Sequence, residues 1–151
     1  MIDFLSKLLR NRVLWAGIGA WLTAQVLKTI IHAIISKRID FSRLVGDGGM
    51  PSGHSATVTA VATMCGLVYG ADSAIFAVSA ILAIITCHDA MHARHQIGEH
   101  AALLNKLMND ISAGESPEVV LEEFVGHTPF QVGAGILLGI LVGILMYIWA
   151  V

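Results

Sequence analysis

The sequence predicts an all-α, polytopic membrane bundle of about four transmembrane helices, and three observations carry that expectation. The chain is 56% hydrophobic and 13% charged, with a mean hydropathy of +0.74, too apolar for a soluble domain of 151 residues. Its apolar residues fall into segments near 13–35, 54–70, 73–93 and 131–150, each approaching the ~20 residues that cross a bilayer. Between the second and third, Gly70-Ala71-Asp72-Ser73 has the composition of a tight turn, which makes them an antiparallel hairpin. The connections at 36–53 and 94–130 must then share one side of the membrane, and nearly every chemically interesting polar residue lies there. Residues 1–151 are expected to form a single integral domain of a multi-pass cell-membrane protein.

The first segment contains Lys28, is long, and lacks a small-x-small cleavage site, so it is expected to be a retained span rather than a signal peptide. Gln25, Lys28 and His32 follow a three-then-four spacing and so share one helical stripe that should face the bundle interior. A buried ammonium needs an anion, which either Asp89 or a bound phosphate would supply. Past the span, Lys37-Arg38-Ile39-Asp40-Phe41-Ser42-Arg43 adds charge, and Arg43 is the guanidinium nearest the next motif. Lys7, Arg10 and Arg12 on one side compete with Lys37, Arg38, Arg43, Arg94 and Lys106 on the other; the orientation adopted is a cytoplasmic N-terminus with an outward-facing site.

That motif, Gly46-Asp47-Gly48-Gly49-Met50-Pro51-Ser52-Gly53-His54-Ser55, joins a glycine-rich loop to the start of the second segment. Glycines let backbone N–H groups converge on one anion, and a helix beginning near Ser52 or Ser55 directs its positive end toward it. Gly49, Ser52 and Gly53 are therefore expected at a phosphate, and His54 in the first turn is suited to protonate a departing oxygen. A capped helix after a turn is the plainer alternative.

The third segment ends in His88-Asp89-Ala90-Met91-His92-Ala93-Arg94-His95-Gln96-Ile97-Gly98-Glu99-His100, for which two chemistries compete. In one, Arg94 neutralises phosphate oxygens and His100 attacks phosphorus while Glu99 or Asp89 fixes its tautomer. In the other, His88, His92 and His95 share a helical face as zinc ligands would, and His88-Asp89-x-x-His92 echoes a zinc-protease pattern. Arg94 and His100 differ by about 600° on an unbroken helix, so their convergence requires a break, for which Gly98 is the candidate.

Farther on, Ser116 and Pro117 are expected to start an amphipathic stretch running to Val125, a connector or a lid. Gly126-His127-Thr128-Pro129 is expected to be a turn into the last span, with His127 outside the set of site residues. Gly135, Gly139 and Gly143, with Gly66 and Gly70 in the second span, form small-residue ridges that suit helix packing in the bundle or across a homodimer. Cys65 and Cys87 lie in apolar segments as packing residues, and a net charge of −2 gives no reason to expect nucleic acid.

The Pro51-Ser52-Gly53-His54 motif, with basic residues before it and Arg94-x5-His100 after it, is similar to the type 2 phosphatidic acid phosphatase (PAP2) superfamily, related to vanadium haloperoxidases. Gly48 to Ala56, Asp89-Ala90-Met91, Gly98-Glu99, Leu104-Asn105 and Gly126-His127-Thr128-Pro129 resemble its divergent branch of small membrane proteins. The resemblance implies a metal-independent phosphomonoesterase or diphosphatase that works through a phosphohistidine and needs no cofactor. It assigns leaving-group protonation to His54, nucleophilic attack to His100, and phosphate binding to Lys28 or Lys37, Arg43 and Arg94. Lys37 to Arg43 is one residue shorter than the superfamily's first motif, with Leu44 in place of its proline, and Leu104-Asn105 stands where the third motif has an aspartate. The expected substrate is a membrane lipid with a phosphate or diphosphate headgroup. The competing functions are a phosphate-lipid binding or transport protein without turnover, and a zinc-dependent membrane hydrolase.

Overall fold

The computed structural model describes residues 1–38, 49–111, 121 and 126–150, with the side chains at 2, 93–95, 111 and 150 outside that description. These residues form α1 (Ile2–Leu9), α2 (Arg12–Ser36), α3 (Gly53–Tyr69), α4 (Ala74–Met91), α5 (Ala93–Ile111) and α6 (Pro129–Ala150). The architecture is an all-α membrane bundle, as the composition predicts. Three helical stretches, Arg12–Ser36, Ala74–Asp110 and Pro129–Trp149, are long and apolar enough to span a bilayer. With 17 residues, α3 is about 25 Å long at 1.5 Å per residue, the lower end of a spanning length.

Local chemistry sets the helix ends. Asn11, Ser52 and Ser73 cap α2, α3 and α4, each accepting a hydrogen bond from the backbone N–H three residues on. Gly70, at φ 93°, stops α3 in a conformation that side-chain-bearing residues avoid, and the hairpin to α4 follows directly. The amphipathic α1 precedes the first span, with an exposed Asp3–Lys7 ion pair at 2.8 Å.

The packing is inverted relative to a soluble protein. The buried residues are small: Ala16, Ala20 and Ala24 on α2, Ala56 and Ala60 on α3. Large side chains such as Ile81, Leu82, Ile85, Leu137, Leu141 and Leu145 point outward, where lipid is an adequate solvent for them. At the centre is α3, which touches α2, α4 and α6. Its contact with α6 runs along Gly135, Gly139 and Gly143: a Cβ built on Gly139 would lie 2.5 Å from the Ala56 carbonyl oxygen and 2.9 Å from Thr59 Cβ. That ridge is filled by α3 within one chain and so carries no argument for a homodimer. Gly66 of the other ridge receives the Phe76 ring of α4, 3.0 Å from a built Cβ. Cys65 and Cys87 are free thiols buried in the packing, as expected.

The third span and its polar tail depart from the predicted course. The division between α4 and α5 falls at His92, which stays right-handed at φ −102° and ψ −61° with its carbonyl accepting Gln96 N–H at 3.1 Å, and α5 continues unbroken through Gly98. Gly98 lies inside α5 and is buried, as are Ala101 and Asn105 on the same helix. Residues 116–120 and 122–125 of the expected amphipathic stretch lie outside the described residues. Leu121 within it is held by both arms of the Asn105 amide: Nδ2 donates to its carbonyl at 2.8 Å, and its N–H donates to Oδ1 at 2.9 Å.

Gly139→Leu is expected to destabilise the protein by about 1–3 kcal/mol, because the added side chain meets α3 backbone that cannot yield without parting the helices. Gly133→Ala, where no atom lies within 4 Å of the new methyl, is the control and should stabilise by up to about 0.5–1 kcal/mol. Thermal unfolding of both variants in one detergent checks the pair.

Candidate functional site

The heads of α3 and α6 and the end of α4 meet at one end of the bundle. Ser52 N–H, at the start of α3, donates to the Gln131 carbonyl in the first turn of α6 at 3.0 Å. His127 N–H donates to the Ala90 carbonyl near the end of α4 at 3.0 Å. Three helix ends are thereby tied together, and the Lys28 side chain of α2 enters the same place.

Lys28 sits on the buried stripe of α2 with Gln25, and the two are 7% and 4% exposed. The stripe is as predicted, with His32 half-buried at its outer end. Lys28 runs between the glycines of the loop. A Cβ on Gly49 would lie 3.9 Å from Lys28 Cδ, and one on Gly53 3.7 Å from Lys28 Nζ and 3.5 Å from Trp21 Cδ1. Gly49 has φ 77°, and the Met50–Pro51 bond that follows is cis. Gln25 Oε1 is buried with no hydrogen-bond partner among the described residues, an uncommon and costly state for an acceptor.

At the head of α3 the donors divide. Ser55 N–H is capped by Ser52 Oγ at 3.4 Å, and Ser55 Oγ donates to the same oxygen at 3.1 Å. The Ser52 hydroxyl is thus engaged in capping and its amide in binding α6, and the residue is fully buried. Helix geometry leaves the amides of Gly53 and His54 without intrahelical acceptors, at the positive end of the helix. The His54 ring is half-buried, and its centroid lies 6.3 Å from that of His127 at an interplanar angle of 58°.

His127 is the group that motif spacing passed over. It is 6% exposed, and its Nδ1 lies 3.3 Å from Gln131 Oε1. The sequence signal was available in Gly126-His127-Thr128-Pro129 at the start of a span on the site side. The proximity to His54 arises only in the tertiary structure.

The remaining predicted residues lie apart from this cluster or outside the description. Lys37 caps α2 in the left-handed region at φ 54° and is exposed. Arg43, with residues 39–48, and the Arg94 side chain lie outside the described residues. Glu99 and His100 are exposed on α5, which packs on α4. Asp89 is exposed beside a shallow cavity that it lines with Ile84, Ile85, His88, His92 and Gln96. His88 and His92 stack there, centroids 4.3 Å apart and planes 11° apart, while the His95 side chain is outside the description. Among the described residues no three His, Cys, Asp or Glu side chains are grouped to hold a metal ion.

Fold and site together define a multi-pass membrane protein with a small polar cluster enclosed where its helix ends converge. The chain belongs to the divergent PAP2 family, whose model matches residues 9–142 and so includes Lys28, the glycine loop, α4, α5 and His127. It is 40% identical to the membrane protein YuiD of Bacillus subtilis (strain 168), over 93% of this chain and 96% of that protein. No solved structure matches it.

Gly53→Ala is expected to leave the thermal midpoint almost unchanged, since its methyl makes only ordinary contacts. Gly49→Ala should cost about 1–2 kcal/mol, because a side chain is held at positive φ. Parallel thermal melts distinguish the two glycines.

Proposed function

We propose that this protein is a membrane-embedded hydrolase of a lipid phosphate or diphosphate, acting through a phosphohistidine. One observation carries the reading: a buried lysine, two glycines and a histidine converge on the N-terminus of a central helix at the bundle's polar end. An ammonium beside first-turn amides is a strong anion site in a low-dielectric setting, and the glycines keep the space beside Lys28 open. Membership in the divergent PAP2 family supports the phosphate chemistry.

In this reading Lys28 neutralises the phosphate oxygens, with Arg43 and Arg94 as further cationic partners from the two connections. Gly49 and Gly53 admit the phosphate, and Ser52 holds the helix end that binds it. His54 protonates the leaving oxygen, and a second imidazole takes the phosphoryl group. The resemblance gives that second role to His100, with Glu99 or Asp89 as its orienting carboxylate. Because the site adjoins the bilayer, a substrate keeps its tail in lipid while its headgroup reaches Lys28.

A binding protein without turnover is the second reading, favoured by Asn105. Where the wider superfamily has a carboxylate near this position, the asparagine amide closes on the Leu121 backbone.

Purified protein in detergent is expected to release inorganic phosphate from phosphatidic acid or a polyprenyl diphosphate, with inhibition by vanadate and none by EDTA. His54→Ala should reduce kcat about 10²–10⁴-fold, the usual worth of a general acid. Loss of activity with EDTA would instead favour a zinc hydrolase, and saturable lipid-phosphate binding without release would favour the binder.

Lys28→Met should weaken phosphate or vanadate binding at least tenfold, and Lys28→Arg should retain more of it. Titration calorimetry reads both variants. Equal affinity in wild type and Lys28→Met would remove the lysine from the site.

A further inference from the structure

We infer that His127 is the second catalytic imidazole and the atom that receives the phosphoryl group is its Nε2. The inference rests on the phosphatase reading above and replaces one member of it, the nucleophile.

The tautomer of His127 follows from its neighbours. Thr128 N–H donates to Gln131 Oε1 at 3.0 Å, and a backbone amide can only donate, so the Gln131 side chain must present oxygen at that point. The same oxygen lies 3.3 Å from His127 Nδ1. An amide oxygen only accepts, so Nδ1 carries a proton, and in the neutral ring Nε2 is then the nitrogen with the lone pair. A nucleophilic imidazole requires this state, with one nitrogen anchored through its hydrogen and the other basic.

The position is equally constrained. His127 N–H is bound to Ala90 of α4, and Gln131, which holds its ring, accepts Ser52 N–H through its own carbonyl. The His127 ring and the His54 ring are therefore carried on directly bonded backbones. Their centroids are 6.3 Å apart. In-line transfer needs a nucleophile about 3–3.5 Å from phosphorus and a proton donor about 2.6–3.2 Å from the leaving oxygen on the far side. The two rings thus stand close enough to act on one phosphoryl group, and a Cβ built on Gly53, next to His54, would lie 3.7 Å from Lys28 Nζ. His100, by contrast, is exposed on α5.

In the first step the Nε2 lone pair of neutral His127 forms the N–P bond as the P–O bond to the lipid alcohol breaks. The His54 imidazolium gives its proton to that oxygen. In the second step water attacks phosphorus, neutral His54 accepts the water's proton, and the N–P bond breaks to release inorganic phosphate. Both imidazoles return to their starting states, and the sum is ester plus water to alcohol plus phosphate.

The test is to incubate detergent-purified wild type with phosphatidic acid labelled in its phosphate, quench in alkali, where phosphohistidine survives, and locate the label by peptide mass spectrometry. His127→Ala is assayed beside it with and without added imidazole, its folding checked by elution volume. Label on His127, with a loss of about 10³-fold or more in His127→Ala and partial rescue by imidazole, is expected. Gln131→Leu, which removes the acceptor shared by His127 Nδ1 and the Thr128 amide, should lower kcat about tenfold or more while KM changes little. Label on His100 or any other residue, or wild-type kcat in His127→Ala, overturns the inference and leaves the phosphatase reading standing. Absence of both phosphate release and label from wild type on phosphatidic acid and polyprenyl diphosphate overturns both.

Discussion

The close approach of α3 and α6 is the constraint on which the rest of the structure depends. Three glycines four residues apart let the α6 backbone lie against the backbone of Ser52, Ala56 and Ala60 and the Cβ atoms of Ser55, Thr59 and Thr63. In a bilayer there is little hydrophobic gain from bringing helices together, so contact must come from dense van der Waals packing, which small residues permit. Because the glycine ridge begins within the first two turns of α6, the same contact sets the head of α3 beside the head of α6. The Ser52–Gln131 hydrogen bond then closes that end, and the ring centroids of His54 and His127 stand 6.3 Å apart.

Lipid as solvent also explains how Lys28 is placed. It lies eight residues before the end of α2 (36 − 28), about 12 Å at 1.5 Å per residue, too deep for an unpaired charge to be exposed to hydrocarbon. The stripe with Gln25 turns it inward, toward the two glycines and the positive end of α3.

The polar helix after α4 has a different part. The buried face of α5 is made of Gly98, Ala101 and Asn105, while Glu99 and His100 are exposed. Asn105 binds Leu121 through both of its amide groups, in the manner of a strand neighbour, which anchors the second connection to α5. The His88–His92 stack lies at the junction of α4 and α5, beside Asp89.

The sequence by itself determined the four apolar helices, because their limits depend on local physics. Segments expected at 13–35, 54–70, 73–93 and 131–150 appear as the helices Arg12–Ser36, Gly53–Tyr69, Ala74–Met91 and Pro129–Ala150, set by apolar length, serine caps and a positive-φ glycine. The Lys28 stripe and the shared side of the two connections were legible for the same reason, since both follow from helical period and span parity. Only the tertiary structure decided which faces meet. Helices that are hydrophobic all round carry no amphipathic signal to say whether Gly139 faces α3, a second chain or lipid. Helical spacing could not locate the division at His92 rather than Gly98, since a glycine inside a helix serves packing as readily as it serves a turn. Nor could it pair His127 with His54, 73 positions away (127 − 54), because that contact exists only once α3 and α6 have closed on their small residues.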